Sequence, residues 1–236
     1  MKKILALTII ALFSISNCTR SLQNTLTTQE KKDGWQLLFD GKTTKGWHGY
    51  LEENTGEGWI VQEGLLYCKG VGGDIGGDIV TDEEFDNFIL KLDWKISKGG
   101  NSGVFYHVRE DEKYAAPYLT GPEYQLIDDA GFPEPLEDWQ KAGADYAMYP
   151  AGENKKLMPQ GEWNTTRIVF DHGHVEHWLN GEKIVEFEAW SKEWTRLKTE
   201  GKWKDYPDYG IYKSGLIGLQ DHGNEIWFRN IKIKEL

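Results

Sequence analysis

Two cysteines, Cys18 and Cys68, are too few to make a disulfide framework for a chain of 236 residues. Long apolar runs are as scarce. The run at the N-terminus, Ile4 to Ile15, is broken by Thr8 and Ser14 and falls short of the roughly 20 apolar residues that span a bilayer. Clusters of Lys and Arg are missing from a chain with a formal net charge of −11, which argues against nucleic acid and anionic lipid surfaces as partners. No Gly-x-Ser-x-Gly is present, so the usual esterase nucleophile is excluded. The glycine-rich stretch 70–78 is followed by no helical pattern. It reads as a rim loop and not a phosphate cradle, with Asp74 and Asp78 as candidate calcium ligands.

What is present begins with an export signal. Lys2 and Lys3 precede the apolar run, whose length suits the hydrophobic part of a signal peptide. The run ends in Ile15-Ser16-Asn17-Cys18, which resembles a bacterial lipobox with Asn17 where Gly or Ala is usual. On this reading residues 1–17 are removed and Cys18 becomes the lipid-modified first residue. Residues 18–32, polar after the cysteine, then tether one domain, 33–236, to a bacterial membrane facing the periplasm or the cell surface. A secretory signal with an incidental cysteine is the alternative. Cys68, flanked by Leu65, Leu66 and Tyr67, is expected to be a small core residue.

The rest of the chain carries a β pattern. Short runs rich in β-branched and aromatic residues recur at 58–68, 88–96, 103–109, 123–127, 163–170, 174–179, 183–187, 216–220 and 226–233, separated by Gly, Asn and Asp. Such spacing predicts an antiparallel sandwich or barrel. Asn180-Gly181 between two runs signals a two-residue hairpin. One helix is expected over Ala189–Lys198, where Trp190, Trp194 and Leu197 share a face. Residues 128–162 form a long irregular excursion of the kind that often carries function. Eleven Trp and 11 Tyr supply rings for sugar faces, although most must fill the core.

Successive strand residues face opposite ways, so parity separates core from chemistry. In Asn101–Arg109 the even positions are Val104, Tyr106 and Val108, while Asn101, His107 and Arg109 lie opposite. Tyr124 and Leu126 oppose Glu123 and Gln125, and Ile217 and Leu219 oppose Gly218, Gln220 and His222. A polar groove across a sheet follows, with a solvated outer face as the plainer reading. His172, His174 and His177 invite a metal, but His172 sits in a turn and the other two have opposite parity, so strand packing explains them better. Ordinary glycosidases need two carboxylates roughly 5–10 Å apart, and the groove strands offer only Glu123.

The motifs Leu38-Phe39-Asp40-Gly41-Lys42, Gly46-Trp47, Gly100 to Val104, Gly121 to Gln125, Gly161 to Asn164, Glu176 to Gly181, Gly218 to Gly223 and Phe228 to Ile231 occur in order. Together they resemble the 3-keto-disaccharide hydrolase family over about residues 35–236. The resemblance implies a concanavalin-like jelly roll, all-β, with two curved antiparallel sheets and a sugar on the concave face. It also implies cleavage of glycosides oxidised to a ketone at C3, either an oxidised disaccharide or a glucoside. A C3 ketone acidifies the C2 proton, so one base can start an elimination that water completes as a net hydrolysis. Glu123 or His222 would be the base and His107 the acid. Asn101, Arg109, Gln125 and Gln220 would hold hydroxyls or the enolate, and a divalent metal could share its charge. A non-catalytic carbohydrate-binding or adhesion module and an ordinary glycoside hydrolase are the alternatives.

The lipobox reading makes a direct prediction. Wild-type protein should partition into detergent and Cys18→Ala should be released soluble; equal release of the two, measured by phase separation, would refute anchoring.

Overall fold

Phe88, Leu90, Leu92, Trp94 and Ile96 are buried, while Ile89, Lys91, Asp93 and Lys95 between them are half-exposed, the strict alternation of a strand with one face in a core. That strand, Phe88–Ile96, is β6 of a computed structural model describing residues 23–71 and 77–236. In chain order the others are β1 (Trp35–Leu37), β2 (Trp47–Gly49), β3 (Trp59–Gln62), β4 (Leu65–Cys68) and β5 (Ile79–Phe85) before it. After it come β7 (Asn101–Val108), β8 (Glu123–Ile127), β9 (Asn164–Asp171), β10 (His174–Leu179), β11 (Glu182–Glu188), β12 (Gly215–Leu219) and β13 (Ile226–Glu235). Helices α1 (Thr28–Lys32) and α2 (Lys192–Glu200) complete the regular elements used below.

The described strands form two antiparallel sheets packed face to face. The larger runs β11-β10-β9-β6-β13-β4-β3 with β1 also on β13; the smaller runs β2-β5-β12-β7-β8. One apolar layer lies between them, where Val104, Tyr106, Tyr124, Leu126, Ile217 and Leu219 of the small sheet meet Phe88, Leu90, Trp94, Ile168, Phe170 and Phe228 of the large one. The Trp94 indole N–H donates to Thr166 Oγ1 at 3.0 Å, so its one polar atom is satisfied inside that layer. Cys68 is a buried free thiol.

Local chemistry sets the turns. Asn180 (φ 49°) and Gly181 (φ 87°) join β10 to β11, and Glu63 (φ 53°) and Gly64 (φ 78°) split the run 58–68 into the hairpin β3–β4. Helix α2 starts later than the sequence suggests. Ser191 Oγ caps it by accepting the Trp194 N–H at 3.1 Å, while Trp190 adopts a positive φ of 62° outside the helix.

Residues 23–32, expected as tether, lie against the domain. Asn24 is buried and exchanges bonds with Asn230: the Asn24 N–H donates to Asn230 Oδ1 at 2.8 Å and the Asn230 N–H to Asn24 Oδ1 at 2.7 Å. Thr27 and Glu30 form a capping box for α1, and Glu30 also pairs with Lys232. Cys18, the signal segment and Asp74 fall outside the described residues.

Parity fails at one place, His107. β12 pairs Leu216 with Val108 and Gly218 with Phe105, so β7 carries one extra residue, a β-bulge, and His107 takes a φ of 54°. Beyond the bulge the faces exchange. Val108 joins Val80, Phe105 and Leu216 in a separate apolar cluster, and the His107 ring turns inward to 4.3 Å from the Phe170 ring. Its Nε2 donates to Asp86 O at 2.8 Å, and burial pushes its pKa down to about 4, so it is a neutral structural group. The expected acid at His107 is therefore corrected. Arg109, carried past the same bulge, pairs with Glu84 at 3.0 Å and leaves the groove. His107→Ala should destabilise the fold by about 2–4 kcal/mol, through the lost packing and hydrogen bond. Denaturant unfolding would show that loss while turnover per folded molecule is retained.

Candidate active site

On the outer face of the small sheet the remaining parity assignments converge. Asn101 from β7, Glu123 and Gln125 from β8, and Gln220 and His222 just past β12 line one cavity of about 200 Å³. Glycines on the neighbouring strands leave room for its side chains. A Cβ on Gly103 would collide with the Glu123 carboxylate, and one on Gly218 would press on the Phe105 ring. The walls come from outside the strands: Tyr118, Tyr146, Lys202, Trp203 and Tyr206.

Tertiary contacts bring those walls in. Part of the long excursion runs along the free edge of β8, where Gly143 N–H donates to Gln125 O at 2.8 Å and Tyr146 N–H to Glu123 O at 2.9 Å. Trp203, in the turn after α2, donates its indole N–H to Tyr146 O at 3.2 Å and stacks on Tyr209 with ring centroids 4.0 Å apart. The excursion was legible as a long loop; nothing in strand parity points to Lys202 or the tyrosines.

The strand residues bring three amide side chains to the cavity lining. Gln125 donates its Nε2 to Gln140 O at 3.1 Å, which turns Oε1 away from that anchor, buried and without a partner. Asn101 Oδ1 and Gln220 Oε1 are likewise buried and unpartnered. Unpaired buried acceptors are costly, so this trio suits a ligand rich in hydroxyl donors. His222 is carried on a fixed turn: Asp221 N–H donates to Asp78 Oδ1 at 2.8 Å and Gly223 N–H to Asp221 Oδ1 at 3.0 Å.

Glu123 is the one carboxylate among the cavity-lining residues described. Burial raises its pKa to about 8; Lys202 opposes that rise, while Asp78 and Asp145 add to it. Asp145 lies beneath, facing the core, where Tyr106 O–H donates to its Oδ1 at 3.2 Å and burial raises its pKa to about 8 as well.

The histidine motif holds no shared site. His177 is in the core with Nδ1 3.1 Å from Gly143 O, and His174 is on the opposite face against Glu188 at 2.7 Å. His174, Glu176 and Glu186 do cluster within 4.8 Å of one another, but Lys183 already bridges the two carboxylates at 3.2 and 2.7 Å.

A jelly-roll sandwich with a small polar cavity walled by aromatic rings is an architecture suited to carbohydrate, and comparison with known proteins gives the class, a carbohydrate hydrolase. Residues 34–234 match the 3-keto-alpha-glucoside-1,2-lyase-like domain, and the chain belongs to that family. It is 36% identical over 231 residues to a 3-keto-disaccharide hydrolase of Bacteroides thetaiotaomicron, covering 86% of this chain and 79% of that one. A crystal structure from Parabacteroides distasonis, proposed to be a glycosyl hydrolase, superposes with a TM-score of 0.86 at 47% identity, covering 91% of this chain and 99% of the other. A carbohydrate-binding module of Bacillus subtilis shares the fold alone, with a TM-score of 0.51 at 11% identity over 80% of this chain and 96% of the other.

The buried groups dictate a pH response. Glu123 and Asp145 at about 8, with Asp78 raised to about 7 by burial, hold protons in the folded state that the unfolded chain has released, so their contribution falls as pH rises toward 8. His107 and His177, both pushed down to about 4 by burial, act oppositely, but only below their ordinary 6.5. His48 and His174 are raised despite some desolvation: Asp82 and Glu110 bond His48, and Glu188 bonds His174 most strongly. Both lose stabilisation in the same direction as the carboxyls. Thermal stability should therefore fall between pH 6.5 and 8. Glu123→Gln and Asp145→Asn should each flatten the slope, by up to about 1–2 kcal/mol over that interval. Calorimetry across the range would test this, and an unchanged slope in both variants would refute it.

Proposed function

We propose that the chain cleaves glycosides carrying a ketone at C3 by removing the C2 proton, with elimination or net hydrolysis at C1. The observation that carries this reading is the lone, buried Glu123 carboxylate in the cavity. Ordinary glycosidases work with two carboxylates, whereas proton removal beside a ketone needs one base of raised pKa. The identity to a 3-keto-disaccharide hydrolase supports the same chemistry.

In this mechanism Glu123 takes the C2 proton, and its pKa of about 8 makes it a strong base once ionised. Asn101, Gln125 and Gln220 accept hydrogen bonds from the sugar hydroxyls, and His222 holds the ring from the β12 side. Gly103 leaves the space into which the carboxylate fits. The lining also fits a hard divalent cation. The unpartnered amide oxygens of Gln125 and Gln220 are oxygen ligands of the kind such ions take; they would then hold the ion in place of sugar hydroxyls, Glu123 would stay the base, and the ion would supply Lewis-acid stabilisation of charge on the C3 oxygen.

Turnover of a 3-keto-glucoside should greatly exceed that of the parent glucoside, with solvent deuterium entering at C2. Glu123→Gln should lower turnover by about 10²–10⁴-fold and abolish C2 exchange. His222→Ala should lower turnover while exchange persists. The kcat/KM should climb with pH toward about 8, because the base acts ionised. Equal cleavage of unoxidised glucosides without C2 exchange would make the protein an ordinary glycosidase.

A further inference from the structure

With His107 buried in the core, Arg109 outside the cavity and His222 assigned to hold the ring, the proposed mechanism still needs a group to protonate the departing oxygen. The cavity wall holds one. Lys202 Nζ lies 3.0 Å from the Tyr146 hydroxyl and 4.2 Å from the centroid of its ring. Both residues line the same cavity as Glu123. Neither is placed by a floppy loop alone. The Tyr146 backbone is bonded to Glu123 O, its ring meets Trp139 edge-on at 5.3 Å, and its carbonyl is gripped by the indole of Trp203, the residue after Lys202. Lys202 is also the cation whose field opposes the burial of Glu123, so one ammonium reaches both the carboxyl, through its field, and the phenol, through its hydrogen bond.

We propose that Tyr146 is the catalytic acid that protonates the departing C1 oxygen, and that Lys202 holds the resulting phenolate. This rests on the elimination chemistry proposed above. In the step, Glu123 takes the proton from C2 and the C2–H electron pair becomes the C1–C2 double bond. The C1–O bond breaks with its pair on the leaving oxygen, which receives the Tyr146 hydroxyl proton. The phenolate is held against the Lys202 ammonium and regains a proton from Glu123 through solvent. The products are an unsaturated 3-keto sugar and an alcohol, and water can then add across the new double bond. Phenol and carboxyl thus divide the two proton transfers, with the Lys202 ammonium in hydrogen-bond contact with the phenol oxygen.

The test uses one 3-keto-glucoside with two leaving groups: 4-nitrophenoxide, which departs unaided, and methoxide, which needs a proton. Tyr146→Phe should lose about 10²-fold or more on the methyl substrate and less than about 10-fold on the nitrophenyl one, with C2 exchange retained. Lys202→Met should show the same split on top of a loss common to both substrates, because Glu123 loses its compensating cation, and Lys202→Arg, which keeps the charge, should recover part of the methyl activity. Equal losses on both substrates in a folded Tyr146→Phe protein, or no loss on either, would overturn the assignment. Absence of C2 exchange in wild type would instead overturn the elimination reading, and the aglycone split would still decide whether Tyr146 is the acid.

Discussion

A β-sheet covered on one side by a second sheet must give every other residue to the core, and the cavity inherits its residues from that obligation. Tyr124 and Leu126 on β8, Val104 and Tyr106 on β7, and Ile217 and Leu219 on β12 are fixed by packing against Phe88, Trp94 and Phe170. A slip of one residue would drive Glu123 into the apolar layer and bring Tyr124 out, at a cost set by large buried rings. Core packing therefore holds the register, and the register aims Glu123, Gln125 and Gln220 at one space without any contact among them being required.

Placing a carboxyl there works against folding. Glu123 is 6% exposed, and Asp78 and Asp145 raise further a pKa that burial has already lifted. A lone charge in such a place is tolerated by staying protonated, or by a cation near enough to compensate. Lys202 fills the second role from outside the sheet. In the proposed mechanism the same under-compensation makes Glu123 a base strong enough to attack a C–H bond beside a ketone, so stability is given up where reactivity is needed.

The second layer of the site depends on chain segments that follow no period. Residues 143–146 bond along β8 as an extra edge, and the turn after α2 is pinned by the stack of Trp203 on Tyr209. These contacts place Tyr146 and Lys202 beside Glu123, and they join residues 56 positions apart in the chain. The acid proposed above belongs to this layer, which is packed onto the core through Trp203 and Tyr209.

The alternation of apolar and polar residues determined by itself that the chain is antiparallel β, and within each strand it set Asn101, Glu123, Gln125, Gln220 and His222 opposite the core residues, because a strand's period of two is a local property of the backbone; that these strands lie side by side in one of two sheets was decided by the fold. The Asn180-Gly181 hairpin was equally local, since few residues adopt both positive φ values of that turn readily. His107 and Arg109 were misplaced because a β-bulge is invisible to parity: the extra residue is set by how β7 pairs with β12, and a histidine at φ 54° carries no sequence mark. Lys202, Tyr118, Tyr146, Trp203 and Tyr206 were beyond reach for a related reason. Their positions follow from long-range packing onto the β8 edge, and only the folded chain decides which loop residues meet there.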